Sequence, residues 1–113
     1  MKLIILDRDG VINQDRDDFV KSADEWIPIA GSMDAIAFLT EAGYTVAVAT
    51  NQSGIGRKYF TMQELTEMHN KMHRLAQQAG GVIDGIWFCP HTAADGCDCR
   101  KPAPGMILRA AKE

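Results

Sequence analysis

Asp7 and Asp9 flank Arg8 directly after the apolar run Leu3-Ile4-Ile5-Leu6. Side chains two positions apart on an extended segment point the same way, so both carboxylates can face one pocket. Such a pair could hold a hard divalent cation, magnesium above all, through oxygen ligands. It could also divide labour, one carboxylate attacking phosphorus and the other trading a proton with the leaving group. The pair alone is equally consistent with a solvated turn, because Asp is a common turn former.

Further along, Thr50 supplies a hydroxyl ahead of Asn51-Gln52-Ser53-Gly54, a glycine-bearing loop whose amides could bind phosphate. Arg100 and Lys101 place adjacent cations before Pro102, and a lysine there can act as a point charge on a phosphate. Cys89, His91, Cys97 and Cys99 gather three sulfurs and one imidazole within 11 positions, the ligand set of a closed structural zinc site. His69 and His73 stand four apart, but nothing nearby completes a metal site. They read as helix-surface or core-edge histidines, and the stripe Met62, Met68, Met72 as packing.

These groups need elements to position them. Leu3 to Leu6 has no polar alternation, the pattern of a strand covered on both faces. Residues 10–31 show no clean period and form a long functional loop or an irregular excursion with acids at Asp15, Asp17 and Asp18. Ser32 is expected to cap a helix that Gly43 stops. Tyr44 to Ala49 is the second strand. Thr61 and Glu64 make a capping box for a helix of about 18 residues ending at Gly80-Gly81. Ile86 to Cys89 is the third strand, and a last helix begins at Gly105. The alternation of strand and helix specifies an α/β fold, a Rossmann-like parallel sheet with helices on both faces. In such sheets the active crevice lies at the carboxyl ends of the strands, where all the polar clusters fall.

The chain has 113 residues, 46% of them hydrophobic, so it holds one domain at most. Its 12 basic and 15 acidic side chains leave a charge of -3, which argues against nucleic acid or anionic lipid as partner. No apolar run reaches the roughly 18 residues that span a bilayer. Asp7 arrives too early for a signal peptide, and three cysteines is an odd count, so a cytoplasmic location is expected.

Asp-x-Asp-Gly-Val after the first strand, Thr-Asn after the second and Lys-Pro after the third resemble the first three motifs of the haloacid dehalogenase (HAD) superfamily of phosphohydrolases. The run from Thr50 to Arg57 and the Cys-Pro-His through Cys-Asp-Cys-Arg-Lys-Pro loop resemble its capless, zinc-bearing branch, which holds heptose-bisphosphate and histidinol phosphatases. The resemblance implies that Asp7 is a nucleophile forming an aspartyl-phosphate, that Asp9 protonates the departing sugar oxygen and then activates water, and that Thr50 and Lys101 hold phosphoryl oxygens. It implies magnesium on Asp7 and the Asp9 carbonyl, zinc on Cys89, His91, Cys97 and Cys99, and substrate contacts from Asn51, Arg57, Lys58 and Arg100. The expected substrate is a small phosphorylated sugar, heptose 1,7-bisphosphate, used for bacterial lipopolysaccharide or glycoprotein sugars, and the full-length protein is expected to be a monomer.

The sequence departs from the family pattern at three points. A fourth-motif Asp that completes the magnesium site has no counterpart before Glu113, so the chain is expected to be the amino-terminal part of a longer domain, weakly active or inactive alone. The missing strand should leave one edge of the first strand unpaired. The short stretch between His91 and Cys97 suits a histidinol phosphatase, whereas Ser53 to Arg57 suits the heptose enzyme; Lys58 stands where glycine is common. A different class of function, a zinc-stabilised binding module with aspartates as mere turn residues, is also open.

Overall fold

The computed structural model describes residues 2–90 and residue 101. The zinc-loop residues 91–100 and the helix expected from Gly105 lie outside the described residues.

Three strands, β1 (Lys2–Leu6), β2 (Tyr44–Asn51) and β3 (Gly85–Cys89), form a parallel sheet in the order β1-β2-β3. β2 is the buried centre, as its unbroken Val46-Ala47-Val48-Ala49-Thr50 burial shows. β1, expected to be covered on both faces, is half-buried. The reason is topological: among the described residues it has a neighbour on one side only. No helix of the described residues is long and apolar enough to cross a membrane.

Leu6 pairs with Val48, and β2 continues to Asn51, which pairs with Cys89. β2 therefore outruns β1, and Thr50 and Asn51 stand beside the chain that carries Asp7 and Asp9. That offset builds one edge of the crevice before any side chain is considered.

Helix α1 (Ser32–Glu41) packs on β2 and on the second long helix. Its N-cap is Gly31, left-handed at φ 87, and not Ser32, whose hydroxyl is buried without a hydrogen-bond partner. Glycine enters that conformation without the steric cost a side chain would meet. Ser53–Gly56, expected as loop, closes a single helical turn, α2. Helix α3 (Met62–Gln78) starts with the expected capping box, Glu64 N–H to Thr61 Oγ1 at 3.1 Å and Thr61 N–H to Glu64 Oε1 at 2.9 Å. Leu65, Met68, Met72 and Ala76 form its buried stripe and meet Ile36, Val46 and Val48 in the main core. On the other face Ala47 and Ala49 are buried as well, Ala49 with Cys89 and against the partly buried Ile5 and Trp87.

The excursion between β1 and α1 is a hydrogen-bonded flap. Gln14 N–H donates to the Ile27 carbonyl at 2.8 Å and Ile29 N–H to the Ile12 carbonyl at 2.9 Å. Trp26 plugs its base, fully buried, and Lys71 on α3 clamps it by donating to the Ala23 and Trp26 carbonyls, both at 2.7 Å.

Where the chain leaves α3 it passes α1 at backbone distance. A Cβ on Gly81 would stand 2.9 Å from Ile36 Cγ2 and 3.0 Å from the Ala37 nitrogen. Backbone cannot yield as a side chain can, so Gly81→Ala should lose about 1–3 kcal/mol of stability in urea unfolding.

Candidate active site

Asp7 leaves β1 with its side chain 44% exposed, so its carboxylate is open to a substrate. Lys101 faces it, with Nζ 2.8 Å from Oδ1. Two sets of contacts hold that residue. Nζ also donates to the Ala49 carbonyl at 2.9 Å, and the Lys101 main chain is clasped by Asn51, which receives its N–H at 2.8 Å and donates Nδ2 to its carbonyl at 3.1 Å. Asn51, expected to touch substrate, thus has both ends of its amide on the Lys101 backbone.

Asp9 is held from several directions. Arg8 Nε donates to Oδ1 at 2.8 Å, Asn13 Nδ2 donates to the same oxygen at 3.0 Å, and Gln52 Nε2 donates to Oδ2 at 3.1 Å. Arg8 Nη2 also lies 2.8 Å from Oδ1, but off the hydrogen-bond direction. Gln52, itself buried, donates to Thr50 Oγ1 at 2.9 Å and so links the second strand end to Asp9.

Asp7, Asp9, Thr50, Asn51 and Lys101 line one cavity of about 410 Å³, so five of the expected site residues come together. The flap tip completes its wall with Asp15, Arg16, Asp17 and Phe19. Phe19 has a left-handed backbone, φ 70, and its ring lies 5.3 Å from that of Tyr59. Arg57 and Lys58, exposed on the turn after α2, are not among the lining residues. Lys58 sits at φ 63, which explains why glycine suits that position. Arg100, His91, Cys97 and Cys99 lie outside the described residues. Cys89 is fully buried and disulfide-bonded. Among the described residues no three His, Cys, Asp or Glu side chains converge as a metal site.

Arg8, Asn13, Gln52 and the flap-tip residues escaped the sequence reading. For Arg8 a signal was present: if Asp7 and Asp9 face the crevice, the residue between them must face the core. It does, with no exposed side-chain surface, and its Nη1 lies 3.3 Å from His69 Nε2 and 3.8 Å from Met68 Sδ.

Two acids after one parallel strand, a buried threonine at the end of the next and a lysine beyond the third define the class: an α/β domain of the HAD phosphatase type. A family model described as polynucleotide kinase 3 phosphatase matches residues 2–113, and the chain belongs to that family. It is 85% identical over 107 residues to the D-glycero-beta-D-manno-heptose-1,7-bisphosphate 7-phosphatase of Neisseria meningitidis serogroup A, covering 95% of this chain and 57% of the relative. It is 58% identical over 113 residues to the enzyme of the same name from Pseudomonas putida, covering 100% of this chain and 64% of the relative. The crystal structure of D,D-heptose 1,7-bisphosphate phosphatase from B. bronchiseptica, complexed with magnesium and phosphate, superposes with a TM-score of 0.97 at 60% identity, covering 99% of this chain and 63% of that one. The chain therefore spans about 57% to 64% of the length of these relatives.

Of the two expected readings, helix surface or core edge, His69 takes the second: it is buried beside the core. Burial first, and then the charge of Arg8, push its pKa from 6.5 down to about 3. The folded protein keeps this ring neutral, while the unfolded chain takes up a proton below about pH 6.5. Stability should therefore fall on acidification below about 6.5, by up to about 1.4 kcal/mol per pH unit, with the loss continuing toward pH 3. Urea midpoints between pH 7 and 5 should show this slope, and His69→Gln should flatten it.

Proposed function

We propose that the protein is a phosphoric monoester hydrolase that removes the 7-phosphate of D-glycero-D-manno-heptose 1,7-bisphosphate through an aspartyl-phosphate. The observation that carries this reading is the exposed Asp7 carboxylate beside Lys101 in a cavity shared with Thr50 and Asp9. Phosphoryl transfer needs in-line positioning and neutralisation of spread negative charge more than covalent machinery. Asp7 attacks phosphorus, Lys101 and Thr50 hold the phosphoryl oxygens, and Asp9 gives a proton to the departing sugar oxygen and later takes one from water. Arg57, Lys58 and Arg100 are candidates for the rest of the substrate, with Asn51 acting through its grip on Lys101.

The donor set fits magnesium. Asp7 Oδ1 is engaged by Lys101 and by the Arg8 N–H, which leaves its second oxygen for a cation. Asp7 and the Asp9 carbonyl would hold the ion, which typically keeps several waters and needs few protein ligands. When bound it supplies further neutralisation of phosphate charge. We also propose that Cys89, His91, Cys97 and Cys99 bind a structural zinc that braces the segment before Lys101. A disulfide at Cys89 and a zinc thiolate are alternative fates of one sulfur, and a reducing compartment favours the second.

Three measurements bear on this. Asp7→Asn should lower turnover by roughly 10³-fold or more and abolish trapping of beryllofluoride, whereas a non-catalytic module would be indifferent to it. A chain extended to its relatives' length should hydrolyse heptose 1,7-bisphosphate faster than residues 1–113 alone, and a preference for histidinol phosphate would overturn the substrate assignment. Protein purified under reducing conditions should carry about one zinc per chain by elemental analysis; metal-free protein with Cys89 oxidised would end the zinc reading.

A further inference from the structure

Arg8 is the most deeply buried charge among the described residues and does no work in the chemistry outlined above. Its guanidinium is suspended between two elements. Toward the crevice, Nε bonds Asp9 Oδ1 at 2.8 Å; toward α3, Nη1 meets His69 Nε2 at 3.3 Å and Met68 Sδ at 3.8 Å. Arginine can only donate, so His69 must accept through Nε2 and carry its proton on Nδ1. The His69 ring is itself fixed against Phe88 of β3, with centroids 6.3 Å apart.

The consequence for Asp9 is an asymmetry between its oxygens. Oδ1 takes hydrogen bonds from Arg8 and Asn13 and has the Nη2 charge at 2.8 Å, while Oδ2 takes a single bond, from Gln52. A carboxylate held by charge-assisted bonds on one oxygen keeps the other in a fixed direction and free to exchange a proton.

We propose that Arg8 and His69 are positioning residues for Asp9: the pair ties its Oδ1 to helix α3, so that Oδ2 is the oxygen presented to the leaving group. This rests on the phosphatase reading above and extends it. In the step concerned, an Asp7 oxygen forms a bond to phosphorus as the bond from phosphorus to the substrate oxygen breaks, and the proton on Asp9 Oδ2 passes to that departing oxygen.

The test uses leaving groups. An alkoxide of a sugar needs its proton, whereas p-nitrophenolate departs without one. In the full-length chain, Arg8→Met replaces the guanidinium by an apolar side chain of similar reach. It should lower kcat on the sugar phosphate about 100-fold, with KM and first-turnover release of p-nitrophenolate changing about threefold at most. His69→Leu should move the ratio the same way, and His69→Gln, which can still accept from Arg8, should restore part of it. Equal losses on both substrates, or His69→Gln no better than His69→Leu, would overturn the proposal and leave the phosphatase reading standing. A wild-type chain inactive on both substrates would remove that reading and this one together.

Discussion

Two carboxylates at the mouth of one crevice repel each other unless their charge is offset, and the structure offsets it with a cation for each, brought from opposite sides. Lys101 reaches Asp7 from beyond the third strand, at 2.8 Å, and Arg8 reaches Asp9 from inside the core, also at 2.8 Å. The two pairs differ in kind. Lys101 and Asp7 are both partly exposed, so their attraction is screened and a competing anion can reach either partner. Arg8 is fully buried, so losing Asp9 would leave its charge with neither water nor an acidic partner. One pair is therefore open to exchange and the other is architectural, which suits the roles proposed above for Asp7 as the group that must be reached and Asp9 as the group that must be held still.

The rest of the fold serves these two pairs. β2 outruns β1, which brings Thr50 and Asn51 level with the acids, and Asn51 then fixes the Lys101 backbone. α3 presents both its apolar stripe to the sheet and His69 with Met68 to Arg8. The same helix clamps the flap through Lys71, so the tip carrying Arg16 and Phe19 over the cavity is referenced to the element that references Asp9. At that tip Arg16 and Lys21 both bond Asp18, holding its carboxyl at about 2.

The strands, the two long helices and five lining residues were legible because they follow from local pattern: apolar runs, a capping box, and polar groups where parallel strands end. What escaped the sequence was tertiary in origin. β1 is less buried than its composition suggests because burial depends on neighbours and not on the strand's own residues. Gly31 displaced Ser32 as cap because the flap enters α1 through a left-handed turn. Gln52 looked like one polar residue in a polar loop; only the register of β2 shows that it joins Thr50 to Asp9. Arg57 and Lys58, substrate contacts that the family resemblance implies, stand exposed just after the single turn of α2, outside the cavity lining, and local pattern does not show this.

That turn is itself dictated by packing. A side chain at Gly54 would run into the Phe60 ring, which is buried in the main core. The coil after Asn51 therefore requires glycine at this position, and Tyr59 N–H closes it onto the Gly54 carbonyl at 2.8 Å. Coiling there brings Gly56 N–H to the Pro90 carbonyl at 3.0 Å, while Gln52 N–H takes the Cys89 carbonyl at 2.7 Å. The end of β3 is thus stitched to the start of α2 by backbone bonds that no substitution of a side chain removes. At the same strand end Lys101 is held by the Asn51 side-chain amide on its main chain and by the Ala49 carbonyl on its Nζ, and together these contacts place it against Asp7. A flexible lysine held this way would lose little further entropy on meeting the phosphate of the proposed substrate.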